Sequence, residues 1–269
     1  LDHVIVVVME NSSYDQVRVA PYIASLMTQG AVFTQAYAVT HPSQPNYIAL
    51  WSGDLQGVND NTCPWPTSPF MAENLGHACE VAGRSWRAYV EDLPAAGSPV
   101  CKSGGYARKH APWTSFGNLD HMNERPYAEL ATNIAADSLP NVAFVIPNLC
   151  DAMHDCSIAV GDAWLAAQLP AMIAGVGPRG MVVLTWDEDD KRSGNHILTV
   201  FAGPAVIAGS SSADTLSHSG LLRRGSPRSR RQWARSRSTA SGPDRPIARR
   251  RWRWRIRCMR WRVLRYKWR

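Results

Sequence analysis

Apolar and polar positions fall into clear blocks along the first 222 residues. His3 is followed by Val4-Ile5-Val6-Val7-Val8-Met9, an unbroken apolar run that predicts a strand covered on both faces, as in parallel sheets. Polar Glu10-Asn11-Ser12-Ser13 comes directly after it. Residues 20–30 space Tyr22, Ile23, Leu26 and Met27 as one helix face and stop at Gly30, which reads as a C-cap. Residues 31–37 alternate like a strand. After Pro42 and Pro45, residues 46–53 predict a helix ending at Gly53. Further strands are predicted at 85–90, 141–147, 180–186 and 197–201, with a helix at 161–175 carried by Trp164, Leu165, Leu169, Met172 and Ile173. The rest of 54–140 is less periodic. Strands alternating with helices predict an α/β fold, a mostly parallel central sheet with helices on both faces. In such sheets binding sites form beyond the carboxyl ends of the strands.

Charge divides the chain. Residues 1–222 hold 10 Lys and Arg against 21 Asp and Glu, a net of −11, whereas residues 223–269 hold 19 against the single acid Asp244, a net of +18. Five of the 11 Trp also lie in that last stretch. We therefore read two segments, a domain over 1–222 and an Arg/Trp-rich tail over 223–269. No apolar run approaches the length of a membrane span. The chain starts at Leu1 without a signal peptide, which we read as a trimmed or mature end. The domain has five cysteines and no C-x-x-C pair, which argues against a structural zinc site. Cys150 and Cys156 bracket a loop short enough for a local bridge. Five cysteines allow two bridges and leave one thiol over, and bridges suit a secreted, periplasmic or cell-envelope setting.

Three oxygen-rich clusters sit at predicted strand ends: Glu10-Asn11, Asp151 to Asp155, and Asp187-Glu188-Asp189-Asp190. Glu10, Asn11, Asp187 and Glu188 together offer hard oxygen donors for a divalent cation. Any one cluster alone reads equally as a cap or a solvated turn. Ser43 stands between Pro42 and Pro45, just ahead of a predicted helix. It is either an N-cap or a hydroxyl held in the positive field of a helix start, where a phosphate is welcome. His110, His154 and His218 lie in polar, loop-like context. His3, His77 and His121 read as structural, His41 is ambiguous beside Ser43, and His196 follows the acidic loop.

Eight motifs in order resemble the bacterial acid phosphatases of the phosphoesterase family, which also contains the phosphatidylcholine-cleaving phospholipases C and belongs to the alkaline phosphatase superfamily. They include Val7-Val8-Met9-Glu10-Asn11, His41-Pro42-Ser43-Gln44-Pro45-Asn46-Tyr47, Lys109-His110-Ala111-Pro112, Pro147-Asn148-Leu149-Cys150-Asp151-Ala152-Met153-His154-Asp155-Cys156, Trp186-Asp187-Glu188 and Ser217-His218-Ser219-Gly220-Leu221-Leu222. The resemblance implies an alkaline-phosphatase-like fold and a metal-dependent hydrolysis of phosphate monoesters through a phosphoserine. It implies Ser43 as nucleophile and one divalent ion (Mg, Ca, Mn or Zn) on Glu10, Asn11, Ser43, Asp187 and Glu188. Asn46, His110, His154 and His218 would contact the phosphate, with Asp151 and Asp155 flanking His154. A histidinium, His154 or His110, would protonate the leaving alcohol, and protonated histidines would favour mildly acidic pH.

The resemblance stops after Leu222. Arg, Trp, Pro and Gly are what GC-rich DNA encodes out of frame, so the tail reads as a frameshifted, disordered ending. The rival reading is a genuine cationic segment that binds polyanions or anionic membranes nonspecifically. The partner expected for the domain is a small phosphorylated substrate, and no specific protein partner is inferred. The alternative functions are a phospholipase C-type phosphodiesterase and a non-enzymatic polyanion binder acting through the tail.

Overall fold

The computed structural model describes residues 1–63 and 68–224. The expectations for the tail fall beyond residue 224 and lie outside the described residues. In chain order the elements are β1 (Val4–Met9), α1 (Tyr14–Val17), α2 (Pro21–Gln29), β2 (Ala31–Tyr37), α3 (Ser43–Ser52), α4 (Leu75–Val81), β3 (Trp86–Val90), β4 (Lys102–Ser103), β5 (Tyr106–Ala107), β6 (Glu124–Pro126), α5 (Glu129–Ala135), β7 (Val142–Ile146), α6 (Ile158–Gly175), β8 (Met181–Trp186), β9 (His196–Ala202), β10 (Ser210–Ser212), β11 (Leu216–Ser217) and α7 (His218–Arg224). The boundary expected after Leu222 therefore falls inside α7.

The main sheet runs β10-β2-β9-β8-β1-β7-β3-β6, with β11 also on β2. β1 pairs in parallel with β8 and β7, and β9 alone is antiparallel to its neighbours β2 and β8. Two reversals cancel, so β2 again points the same way as β8. Its carboxyl end therefore opens on the same edge as those of β1, β7 and β8. This is why Ser43, six residues past β2, can meet side chains that follow β1 and β8.

All six residues of β1, all five of β7 and all six of β8 are buried. A strand with apolar side chains on both faces has no stable exposed position, and burying each Val or Ile contributes roughly 1.5–3 kcal/mol. Helices α2, α5 and α6 pack together, and α3, α4 and α7 form a second group. Helix α6 is long and apolar enough to cross a membrane, with mean hydropathy 1.3, a feature the run-length argument missed. Here it packs Trp164, Leu165, Leu169 and Met172 into the core. Its Asp162 caps α2 by accepting from the Tyr22 and Ile23 amides at 3.0 and 2.9 Å.

Two expectations need correction and a third is refined. The helix expected at 46–53 begins at Ser43, because Pro45 falls in the first turn, where its missing N–H costs no helical bond. Gly30 caps α2 as expected, its N–H bonding the Leu26 carbonyl, but with extended rather than left-handed backbone (φ −109°). It is required for close packing, since a Cβ there would lie 2.5 Å from the Phe201 carbonyl oxygen. No leftover thiol exists either: Cys63–Cys101 and the expected Cys150–Cys156 bridges form, and no cysteine among the described residues is free.

The fully buried helix α3 is anchored by Trp51. Its ring meets Trp86, Trp113 and Phe144 edge-on, with centroids 5.0, 5.6 and 5.3 Å away. Such pairs add about 0.5–1.5 kcal/mol each beyond burial. At the sheet edge, next to Trp113 of this cluster, β6 buries Glu124, whose Oε1 accepts from the Tyr106 hydroxyl at 3.4 Å. Burial pushes its carboxyl up to about 7, against the opposing pull of Trp113 and Tyr106. The unfolded chain ionises this group in the ordinary carboxylate range. Between that range and pH 7 only the folded state keeps the proton, so folding stability falls as pH rises through the window. Glu124→Gln should remove this loss. In urea titrations, its stability gain over the parent should be on the order of 1–3 kcal/mol larger at pH 8 than at pH 5. An equal difference at both pH values would show that Glu124 is ionised throughout.

Candidate active site

Glu10 follows β1 and Asp187-Glu188 follow β8, two neighbouring parallel strands, so their side chains emerge side by side. All three are buried, Glu10 to 0 % and Asp187 to 1 % exposure. Ser43, the first residue of α3, reaches in from a third element. Its Oγ lies 3.3 Å from Glu10 Oε2 and 3.4 Å from Glu188 Oε1, so one hydroxyl proton faces two carboxylates. The N-cap alternative for Ser43 fails: Pro42 occupies the cap and no side-chain cap bond forms.

Each carboxylate is held by donors from other elements. The Tyr47 hydroxyl, one turn along α3 from Ser43, donates to Glu10 Oε1. Asp187 Oδ1 accepts from the Glu188 and Asn11 amides at 2.7 and 3.2 Å. Asn11 takes a left-handed turn (φ 48°), a conformation Asn tolerates better than most side chains. Glu188 Oε2 pairs with His41 Nδ1 at 2.9 Å, while His41 Nε2 lies 3.1 Å from Asp189 Oδ1. Asp187 Oδ2 is buried with no hydrogen-bond partner. Burial lifts the Glu10 carboxyl to about 7, against the Tyr47 hydrogen bond and the Lys109 charge. Asp187 is held well above the usual carboxylate range, first by burial and then by the Glu10 and Glu188 charges. Among the described residues no three His, Cys, Asp or Glu side chains form a finished metal cage. The donor set nonetheless fits a hard divalent cation: like charges gathered out of water, with one carboxylate oxygen unpartnered. Above it opens a cavity of about 370 Å³ bordered by Asn11, Ser43, Asn61, Lys109, His154 and Glu188.

The histidines divide into distinct roles. His110 is buried against Tyr47, ring centroids 4.9 Å apart. Its Nε2 is 3.1 Å from Glu10 Oε1 but too poorly aligned for a hydrogen bond. Burial, aided by Lys109 and His154, pushes its pKa well below the usual histidine range, so it is neutral. His218 does not border the cavity. Its Nε2 donates to the Asp187 main-chain oxygen at 2.6 Å, and burial lowers its pKa to about 4. Burial thus disfavours the charged form of both rings, which runs against the expectation of protonated histidines here. His154 does border the cavity, on the loop closed by Cys150–Cys156, with Nδ1 2.6 Å from Asp155 Oδ1.

Asn46 has protein partners on both side-chain atoms, and its Nδ2 also lies 3.4 Å from Glu188 Oε2 in the site. Its Oδ1 accepts from the Val39 and Thr40 amides at 2.9 and 3.1 Å, and its Nδ2 donates to the Thr40 oxygen at 2.7 Å. It shapes the turn that delivers Ser43. Asp151 turns away from the cavity: its Oδ2 accepts from Asn148 Nδ2 at 3.0 Å, and it lies beside Glu91, where its charge adds to the burial that raises the Glu91 carboxyl to about 7. His196 stacks on Tyr14 and Tyr37 and is structural. Two residues were overlooked in the sequence. Tyr47 lies four residues after Ser43, the spacing that shares a helix face, and Lys109 immediately precedes His110.

The model of the Phosphoesterase family matches residues 16–224. A curated relative, phosphatidylinositol-3-phosphatase of Mycobacterium tuberculosis, is 44% identical over 224 residues, spanning 82% of this chain and 74% of that protein. The phosphate-repressible acid phosphatase of Penicillium chrysogenum is 28% identical over 74% of this chain, which spans 51% of its length. Among solved structures, a Vibrio parahaemolyticus protein of the alkaline phosphatase superfamily aligns at TM-score 0.55 and 12% identity, covering 81% of this chain and 64% of that one. The phosphonate monoester hydrolase of Agrobacterium radiobacter aligns at 0.54 and 12%, covering 81% and 72%. These structures share the fold expected from the motifs.

The Tyr47 hydroxyl supplies the hydrogen bond that compensates the burial of Glu10. Tyr47→Phe should lower kcat/KM for an aryl phosphate by about tenfold to a hundredfold, the cost of leaving a buried carboxylate oxygen without its donor. Steady-state kinetics with an unchanged circular dichroism spectrum would establish this, and an unaltered kcat/KM would remove Tyr47 from the site.

Proposed function

This chain belongs to the Phosphoesterase family, and from that premise we propose that it hydrolyses phosphate monoesters with Ser43 as nucleophile, by way of a phosphoserine. The observation that carries the reading is the buried Ser43 hydroxyl set between Glu10 and Glu188 at the base of an open cavity. Glu10, Asn11, Asp187 and Glu188, with Ser43 Oγ, would hold a divalent cation, for which magnesium, calcium, manganese and zinc all suit the donors. When bound, such a cation supplies positive charge that acidifies the serine hydroxyl and offsets charge on the phosphoryl group.

The chain's own residues do the rest. Ser43 Oγ gives its proton to the facing carboxylate and attacks phosphorus. The P–O bond to the alcohol breaks on the opposite side, toward the open mouth, and the alcohol leaves with a proton from solvent. Water then attacks phosphorus of the phosphoserine, releasing inorganic phosphate and restoring the hydroxyl. Asn46 fixes the turn before Ser43, and His218 fixes Asp187 through its main-chain oxygen. His110 forms a neutral wall beside Glu10. Relatives named as monoester phosphatases, one of a lipid-borne inositol phosphate, favour monoesters over the phosphodiester alternative. The two disulfides support a secreted or cell-envelope setting.

Ser43→Ala should lower p-nitrophenyl phosphate hydrolysis by roughly a thousandfold or more. Chelation should abolish activity, and a divalent cation should restore it. Acid quenching during turnover should leave phosphate on the Ser43 peptide, detectable by mass spectrometry. Parent-like turnover by the alanine variant would refute the assignment.

A further inference from the structure

Lys109 is a cavity-bordering cation to which the mechanism above gives no task. It sits on the short turn Arg108–His110, whose last residue, His110, is buried against Tyr47, so the backbone position is fixed from beneath. Its Nζ lies 3.1 Å from His154 Nε2, its sole hydrogen-bond partner among the described residues. On the far side of that ring, Nδ1 meets Asp155 Oδ1 at 2.6 Å.

The hydrogen-bond inventory decides which group carries which proton. A carboxylate only accepts, so the imidazole places its N–H on Nδ1, toward Asp155. Between Nε2 and Nζ there is room for one proton. A lysine ammonium only donates, so the proton belongs to Nζ and Nε2 offers its lone pair. His154 therefore donates at Nδ1 and accepts at Nε2, so it has no proton to give at Nε2, and that nitrogen is already engaged. One N–H of the ammonium is spent on His154, and two remain. They belong to a cation that borders the cavity together with Ser43 and Glu188, and among the described residues no carboxylate ion-pairs with it. The charge of Lys109 is felt by Glu10 and His110 alike.

We propose that Lys109 binds the non-bridging oxygens of the substrate phosphate, and that His154, fixed by Asp155, positions Lys109 rather than protonating the leaving alcohol. This deepens the phosphatase reading and rests on it. A dianionic monoester gains most from such a cation, since a charge-assisted N–H···O bond is about twice as strong as a neutral one. The relay Asp155–His154–Lys109 crosses from the disulfide-closed loop to the turn that holds His110. Substrate recognition is thereby tied to two elements other than those that carry the carboxylates.

The test compares an aryl phosphate, whose leaving group needs no acid, with an alkyl phosphate, whose leaving group does. It uses the full chain and includes inorganic phosphate binding by calorimetry. Lys109→Met should weaken phosphate binding by about tenfold or more and lower kcat/KM for both substrates by similar factors, while Lys109→Arg recovers part of each. His154→Gln, whose amide oxygen can still accept from Lys109, should stay within about fivefold of the parent on both substrates, whereas His154→Ala should lose about tenfold or more in phosphate affinity. Unchanged phosphate binding in Lys109→Met would overturn the proposal. So would a His154→Gln loss confined to the alkyl phosphate, the signature of a leaving-group acid. If the parent hydrolysed neither ester, the phosphatase reading would fall, and calorimetry alone would still decide: phosphate bound by the parent and lost in Lys109→Met supports the site, whereas equal binding, or none in the parent, refutes it.

Discussion

Three carboxylates, Glu10, Asp187 and Glu188, converge on one buried spot, and much of the fold serves to hold them there. Burying a charge costs several kcal/mol unless it is paired and hydrogen-bonded, and burying like charges together costs more. The structure offsets this with donors drawn from separate elements: a tyrosine of α3, the amides of Asn11 and Glu188, and the imidazole of His41. The compensation is incomplete, as the unpartnered Asp187 Oδ2 and the raised Glu10 and Asp187 carboxyls show. A site that stays under-neutralised by its own protein is preorganised for positive charge from outside, whether cation or proton.

The scaffold explains how such a spot can exist. Parallel pairing of β1 with β8 places Glu10 beside Asp187, and the Asp187 amide still bonds the Met9 carbonyl at 2.9 Å, so the ladder extends right up to the acids. Helix α3 brings Ser43 and Tyr47 to the same point one turn apart, and its other end is held among Trp51, Trp86, Trp113 and Phe144. Rigid packing at one end of a buried helix thus fixes a hydroxyl at the other, which is how a weak nucleophile is kept in one orientation.

What the sequence made legible follows from these physics. Strands such as β1 and β8 were readable because sheet residues buried on both faces must be apolar throughout. The acids at their ends stood out because several oxygen-rich clusters followed separate strands, although any one of them alone reads as a cap or a turn. Tyr47 did not stand out, because in a helix of buried residues a tyrosine reads as core until its hydroxyl is seen on Glu10. Lys109 looked like surface charge within Arg108-Lys109-His110, and only the fold brings it to His154, 45 residues away in sequence. Asn46 and His218 were rightly placed near the site and wrongly aimed. Apart from a long contact of Asn46 Nδ2 with Glu188 Oε2, their partners are main-chain groups of the 39–42 turn and of Asp187, and no side-chain motif encodes a bond to the backbone.

Backbone anchoring of this kind also explains why the last described helix matters to chemistry at the sheet's centre. α7 opens with His218, whose ring holds the Asp187 carbonyl, and it packs along α3, where the Leu222 side chain approaches Gly53. One short helix therefore braces both halves of the site, the acid-bearing loop after β8 and the helix that carries Ser43. The resemblance read from the motifs ends inside this helix, just past Leu222. The break falls after the last side chain that the proposed chemistry requires. Nucleophile, carboxylates, lysine relay and backbone anchors all lie within residues 10–218, inside the stretch over which the chain keeps its strand-and-helix order.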